Sequence, residues 1–195
     1  ELGAREDLRD LPFVTIDPAD ARDHDDAVAA APDDDPANPG GHVVWVGIAD
    51  VAHYVRPGTA LDREALRRGN STYFPDRVVP MLPEALSGDL CSLHEGVDRP
   101  CLAVRMVLDA EGAKLSHRFT RGLMRSAASL TYGQAQSAAD GAPDAATAGS
   151  RSGANGRSPS APASRVFCAV GWPFICRIPQ PGLPSMPRIT LMLLT

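Results

Sequence analysis

Short apolar runs separated by polar, Pro- and Gly-containing turns set the rhythm of the first part of the chain. Most have the length and β-branched character of strands rather than a 3.6-residue helical period. Phe13-Val14-Thr15-Ile16 is the first, ending in an Asp-rich loop, after which Ala27-Val28-Ala29 resumes extended structure. The polar stretch from Asp33-Asp34-Asp35-Pro36 to Pro39-Gly40-Gly41 predicts a turn, and His42 to Ala49 a buried strand, so that the two runs form a hairpin. A second, longer hairpin is predicted from Cys101 to Leu108, a turn at Asp109-Ala110-Glu111-Gly112, and Lys114 to Met124.

Helical signals are few and short. Thr59-Ala60-Leu61-Asp62 has the pattern in which a hydroxyl and an acid satisfy the free N–H groups opening a helix; Leu61, Ala65 and Leu66 share a face and Gly69 is placed to stop it. Thr131 is placed to cap a helix from Tyr132. Pro75, Pro80 and Pro83 predict an irregular stretch between these elements. The sum is an α+β fold over residues 1–140, a mixed and mainly antiparallel sheet with short helices. Over residues 141–195 Gly, Ala, Ser and Pro dominate and neither period is visible, which predicts a low-complexity tail that is disordered or foreign to the fold before it. Apolar residues return at Val166, but Pro173, Pro179, Pro181, Pro184 and Pro187 interrupt each run.

Composition narrows the function classes. A formal charge of -5 and a pI near 5.5 exclude a module that grips nucleic acid through a broad basic face. Cys91, Cys101, Cys168 and Cys176 form no C-x-x-C pair and have no His at zinc-finger spacing, so they read as reduced thiols of a cytoplasmic protein. The chain opens Glu-Leu-Gly-Ala-Arg-Glu-Asp, with neither an initiator Met nor an apolar leader, and is expected to start inside a longer protein. Val166 to Ile178 is apolar but falls short of the ~20 residues of a membrane-spanning helix, so no membrane partner is expected. Nothing in the pattern points to an obligate protein partner.

The loop after the first strand carries the chemistry. Asp17, Asp20, Asp23, Asp25 and Asp26 crowd within ten residues, and such carboxylates raise one another's pKa unless a cation compensates. In extended backbone Asp23 and Asp25 share a side and Asp26 points away, so convergence with Asp17 requires a turn, for which Pro18 and Asp20 are suited. Oxygen donors select Mg²⁺ or Mn²⁺ over zinc or copper. Clusters of Asp serve most often as solvated turns, and Asp33 to Asp35 is read that way. A calcium EF-hand loop counted from Asp23 fails, with Val28 at the required glycine.

Val14-Thr15-Ile16-Asp17 followed by Ala21-Arg22-Asp23-His24-Asp25-Asp26-Ala27-Val28 resembles the opening of the catalytic RNB domain of the RNase II/RNase R exoribonucleases. The blocks Val46 to Val55, Leu61 to Ala65, Ser71-Thr72-Tyr73-Phe74-Pro75, Val79 to Pro83 and Leu90-Cys91-Ser92-Leu93 then follow in the family's order, with wording nearer RNase R than RNase II. The resemblance implies hydrolysis of single-stranded RNA from its 3′ end to nucleoside 5′-monophosphates. It also implies an Mg²⁺ or Mn²⁺ site formed by Asp17, Asp23, Asp25 and Asp26, with Asp25 the carboxylate most critical to activity, and Tyr73 as the ring that stacks on the terminal nucleotide. His24 is expected to fill a variable position among the acids, since a neutral imidazole is a poor Mg²⁺ ligand. Asp50 and His53 are expected in structural roles, and Arg118, Arg121 and Arg125 as surface groups in water.

The resemblance fades near Gly141, well short of a whole catalytic domain, and the family's flanking RNA-binding barrels are expected outside these 195 residues. Two readings from different classes follow: a metal-dependent exoribonuclease of which this is a fragment, or a noncatalytic RNA- or metal-binding remnant. A hydrolase of some other phosphodiester is a third.

Overall fold

A computed structural model describes residues 3–147 of the 195-residue chain. Its strands are β1 (Glu6–Asp7), β2 (Phe13–Asp17), β3 (Asp26–Pro32), β4 (His42–Ala49), β5 (Thr72–Tyr73), β6 (Val78–Val79), β7 (Asp98–Leu108) and β8 (Lys114–Thr131). The helices are α1 (Ala60–Arg68) and α2 (Tyr132–Ala139), with a 3₁₀ turn at Val51–His53 and a π-helical turn at Ala85–Leu90.

The two predicted hairpins are present. Strands β3 and β4 pair antiparallel with Val28 opposite Val46, and β7 and β8 pair from Asp98↔Arg125 to Leu108↔Lys114. Strand β4 also pairs with β7, and β2 with β3. The second hairpin runs further than expected, because β8 continues to Thr131 and its last residues pair in parallel with β2, Val14 opposite Ala128 and Asp17 opposite Thr131. The ladder therefore closes on itself in the order β2, β3, β4, β7, β8 and back to β2, with β1 added beside β8. Closure leaves few free edges.

An irregularity in the β2–β8 register explains how this ring builds two apolar layers. Phe13 lies opposite Ser126 but Val14 opposite Ala128, so one extra residue of β8 is accommodated there and the later side chains change face. Before it, Phe13, Ala27, Ala29, Trp45, Ala49, Cys101, Ala103 and Met124 form the interior cluster. After it, Val14, Ala128 and Leu130 form a second cluster with Ile16, Val28 and Ala146 on the other side. The interior is narrow: a Cβ on Gly47 would lie 3.1 Å from the Met124 sulfur and 3.4 Å from the Phe13 ring.

Both predicted capping threonines are in place, although at α1 the Asp62 carboxylate accepts from the Gly58 N–H and not from that of Thr59. Asp62 N–H donates to the Thr59 hydroxyl, and Gly69 ends α1 at φ 79°. Thr131 and Gln134 make reciprocal capping bonds at the start of α2. The Asp33–Asp35 run is a turn, its carboxylates accepting from Asn38 and from the Ala37 N–H. The stretch expected to be irregular contains the β5–β6 hairpin, where Thr72 pairs with Val79 and Tyr73 with Val78. Packing also continues past the expected boundary at 140: Gln134 bonds Asp144, Ala146 joins the second cluster and Thr147 is buried. The rest of the predicted tail lies outside the described residues. Among these, no helix is long and apolar enough to cross a membrane.

Candidate active site

The acidic loop joins β2 to β3 at one end of the ring. Asp17 is the last residue of β2 and Asp26 the first of β3, so adjacent strands deliver two carboxylates, while Asp23 and Asp25 lie on the connection. The required turn is present, with the Ala21 N–H donating to the Pro18 carbonyl at 3.0 Å. The loop is then fastened at successive backbone groups. The Ser92 hydroxyl accepts from the His24 N–H at 3.0 Å and donates to the Arg22 carbonyl at 3.2 Å. The Leu93 N–H donates to the His24 carbonyl and the Ala49 N–H to the Asp25 carbonyl, both at 2.9 Å.

The electrostatics show the strain expected of crowded acids. Asp25 has its carboxyl pKa raised, first by loss of hydration and then by the negative charges of Asp23, Asp26 and Asp17, with His24 opposing. Asp26 is raised by loss of hydration and by Asp17. Asp23 and Asp25 are exposed, whereas Asp17 and Asp26 are half-buried.

His24, expected at a variable position among the acids, has its Nδ1 2.6 Å from Asp17 Oδ2 and its ring edge-on to His94 at 5.9 Å. The loop backbone, fixed by Ser92 and Leu93, aims the imidazole back at β2. Of the four family carboxylates, then, Asp17, Asp25 and Asp26 feel one another and Asp23 couples to Asp25. Full convergence is not reached: among the described residues no three His, Cys, Asp or Glu side chains are gathered as a metal site. The donor chemistry nevertheless suits a hard divalent cation, consisting of carboxylate oxygens whose repulsion such an ion would relieve.

Tyr73 stands apart on the β5–β6 hairpin and is 69% exposed, beside the exposed Phe74, Val78 and Val79; it is no core aromatic. The Arg77 guanidinium covers the Phe74 ring at 4.8 Å. Asp50 is structural, buried in an ion pair with Arg5 at 2.6 Å, while His53 is exposed and stacks edge-on with Tyr54. Arg118 and Arg125 are not simply solvated, contrary to expectation, because cross-strand acids reach them: Arg118 pairs with Glu6 and Arg125 with Asp98. Arg121 is exposed. Ser92, unremarked in the sequence beyond the Leu90-Cys91-Ser92-Leu93 block, is the main addition to the site.

The fold is a closed, mixed sheet with an acid-rich connection between its first two ring strands, and comparison with known proteins gives its family. The RNB domain pattern matches residues 5–163. Ribonuclease R of Vibrio parahaemolyticus is 51% identical over 137 residues, 70% of this chain and 16% of the relative. That of Acidithiobacillus ferrooxidans is 56% identical over 128 residues, 66% of this chain and 28% of the relative. Mycoplasma genitalium RNase R in complex with double-stranded RNA superposes with a TM-score of 0.67 at 35% identity, covering 73% of this chain and 24% of that one. Yeast Ssd1, a pseudonuclease, shares the fold at a TM-score of 0.60 and 18% identity. The chain belongs to the RNB-domain family. It spans between about one sixth and just over a quarter of the length of these curated relatives.

Proposed function

We propose that this chain supplies the acidic, metal-binding part of a 3′-to-5′ exoribonuclease that hydrolyses single-stranded RNA to nucleoside 5′-monophosphates. The observation that carries the reading is the set Asp17, Asp23, Asp25 and Asp26, mutually repelling at one end of the ring, in a chain whose relatives are named Ribonuclease R. These four side chains would hold Mg²⁺ or Mn²⁺. Such an ion, when bound, lowers the pKa of an attacking water and offsets charge on the scissile phosphate. The protein's own part is to keep the carboxylates on a loop fastened to Ser92, Leu93 and the end of β4, and to present an exposed Tyr73 ring on which a terminal base stacks without sequence readout.

The test is incubation of the 195-residue chain with 3′-labelled single-stranded RNA and Mg²⁺, beside Asp25→Asn. The expected result is mononucleotide release by the unmodified chain alone, at least a hundredfold above the variant. Release of equal size from both would reject the assignment of Asp25. Mn²⁺ uptake without turnover favours a second reading, a noncatalytic remnant. That reading draws support from the small share of the relatives' length present here and from a pseudonuclease having the same fold.

A further inference from the structure

We propose that Ser92 is a positioning residue for the acidic loop: its hydroxyl sets the backbone of Arg22 to His24, and through it the places of Asp23 and Asp25. The inference rests on the metal-binding reading above. Ser92 is 0% exposed and lies seventy residues from the groups it joins, so this contact is tertiary rather than a local turn. One hydroxyl acts in both directions, accepting from the His24 N–H and donating to the Arg22 carbonyl. These two backbone groups flank Asp23 on either side, and His24 in turn precedes Asp25. No apolar side chain of that size could satisfy either group.

Ser92 is itself held in place from several sides. Its N–H donates to the Asp89 carbonyl at 2.9 Å, and its carbonyl accepts from Arg99 Nε at 2.9 Å. Arg99 then reaches Asp89 at 2.7 Å. The next residue, Leu93, is 1% exposed in the interior cluster and donates its N–H to the His24 carbonyl. The anchor is therefore tied to the core by Leu93 and to the loop by its hydroxyl, which transmits the rigidity of the ring to carboxylates that otherwise repel one another.

The test compares the unmodified chain with Ser92→Ala, which removes one oxygen and adds no bulk, and reads two quantities. Amide hydrogen exchange in metal-free protein is expected to quicken at least tenfold at His24 while Val46 and Ala103, in the ring, keep their rates. An unchanged His24 rate, or an equal rise at all three, overturns the proposal, the second by showing general loosening. Mn²⁺ affinity, followed by electron paramagnetic resonance, is expected to weaken about three- to thirtyfold in Ser92→Ala, with Ser92→Thr recovering part of it. An affinity equal to that of the unmodified chain also overturns the proposal. If the unmodified chain takes up no Mn²⁺, the metal reading fails, and the exchange rates alone decide whether Ser92 sets the loop.

Discussion

Two groups of acids lie on the same ring and are treated in opposite ways. Near β1, β7 and β8, four acids meet arginines: Asp50 with Arg5, Glu6 with Arg118, Asp7 with Arg9, and Asp98 with both Arg9 and Arg125. In the β2–β3 connection four carboxylates repel one another, and the side-chain contact described there is the 2.6 Å approach of His24 Nδ1 to Asp17 Oδ2. The first group is closed within the chain and supports the scaffold. In the second, lost hydration and neighbouring negative charge hold Asp25 and Asp26 above the ordinary carboxylate range, the feature that the proposed cation would relieve. The contrast separates arginine-paired from mutually repelling carboxylates without appeal to residue type, since all but Glu6 are aspartates.

The largest effect is expected from breaking the paired region. Arg5→Ala would leave Asp50, whose side chain is 4% exposed, without its counter-charge, at a cost of about 3–5 kcal/mol in urea unfolding. Adding Asp50→Ala should recover part of that loss, because the orphaned buried charge is then gone. A loss below about 1 kcal/mol for Arg5→Ala would mean the pair is no more than a surface contact and would erase the contrast.

The unpaired region should respond in the opposite direction. Asp26→Asn relieves repulsion with Asp17, and for a solvent-screened interaction the expected gain is about 0.5–1 kcal/mol. That corresponds to a melting temperature higher by roughly 2–4 °C in metal-free buffer. Saturating Mg²⁺ should reverse the order, since the unmodified chain then gains the ligand's binding energy. Destabilisation by Asp26→Asn under metal-free conditions would show that the carboxylate already has a stabilising partner in the protein.

The difference in how legible these features are in the sequence has a physical basis. The acidic loop was readable because its charges are neighbours along the chain, and the hairpins and helix caps because Thr59, Gly69, Thr131 and the β-branched runs act locally. Ring closure was not readable, since β2 pairs with residues more than a hundred positions later and a register irregularity decides which face they present. The β5–β6 hairpin was hidden by Pro75 and Pro80, both of which fall outside its paired positions and so remove no ladder bond. In the site, Ser92 and the His24–Asp17 contact depend on tertiary placement. A serine in a short apolar block carries no mark of the carbonyl it will meet.

The smallest effect concerns pH, where the loop acids and partnered acids elsewhere on the chain should have opposite signs. Asp25 and Asp26 have folded-state pKa values above those of the unfolded chain, so between the two values the native state holds more protons. Their lost hydration and, after it, their repulsion therefore cost stability at neutral pH, and the cost is relieved as pH falls through the raised values toward the ordinary carboxylate value of about 4. Asp7, Glu64 and Asp144 behave inversely: arginine pairing at the first two, and bonds from Gln134 and Thr147 at the third, hold them at about 2. Their contribution is present above pH ~4 and is lost as pH drops from there toward 2. Urea unfolding of the metal-free chain and of Asp25→Asn/Asp26→Asn at pH 7, 5 and 4 isolates the loop, because the remaining titrating groups are common to both. The variant's advantage should shrink steadily with acid. An advantage that stays constant across the three pH values would place the repulsion elsewhere and remove the electrostatic argument for a cation at this loop.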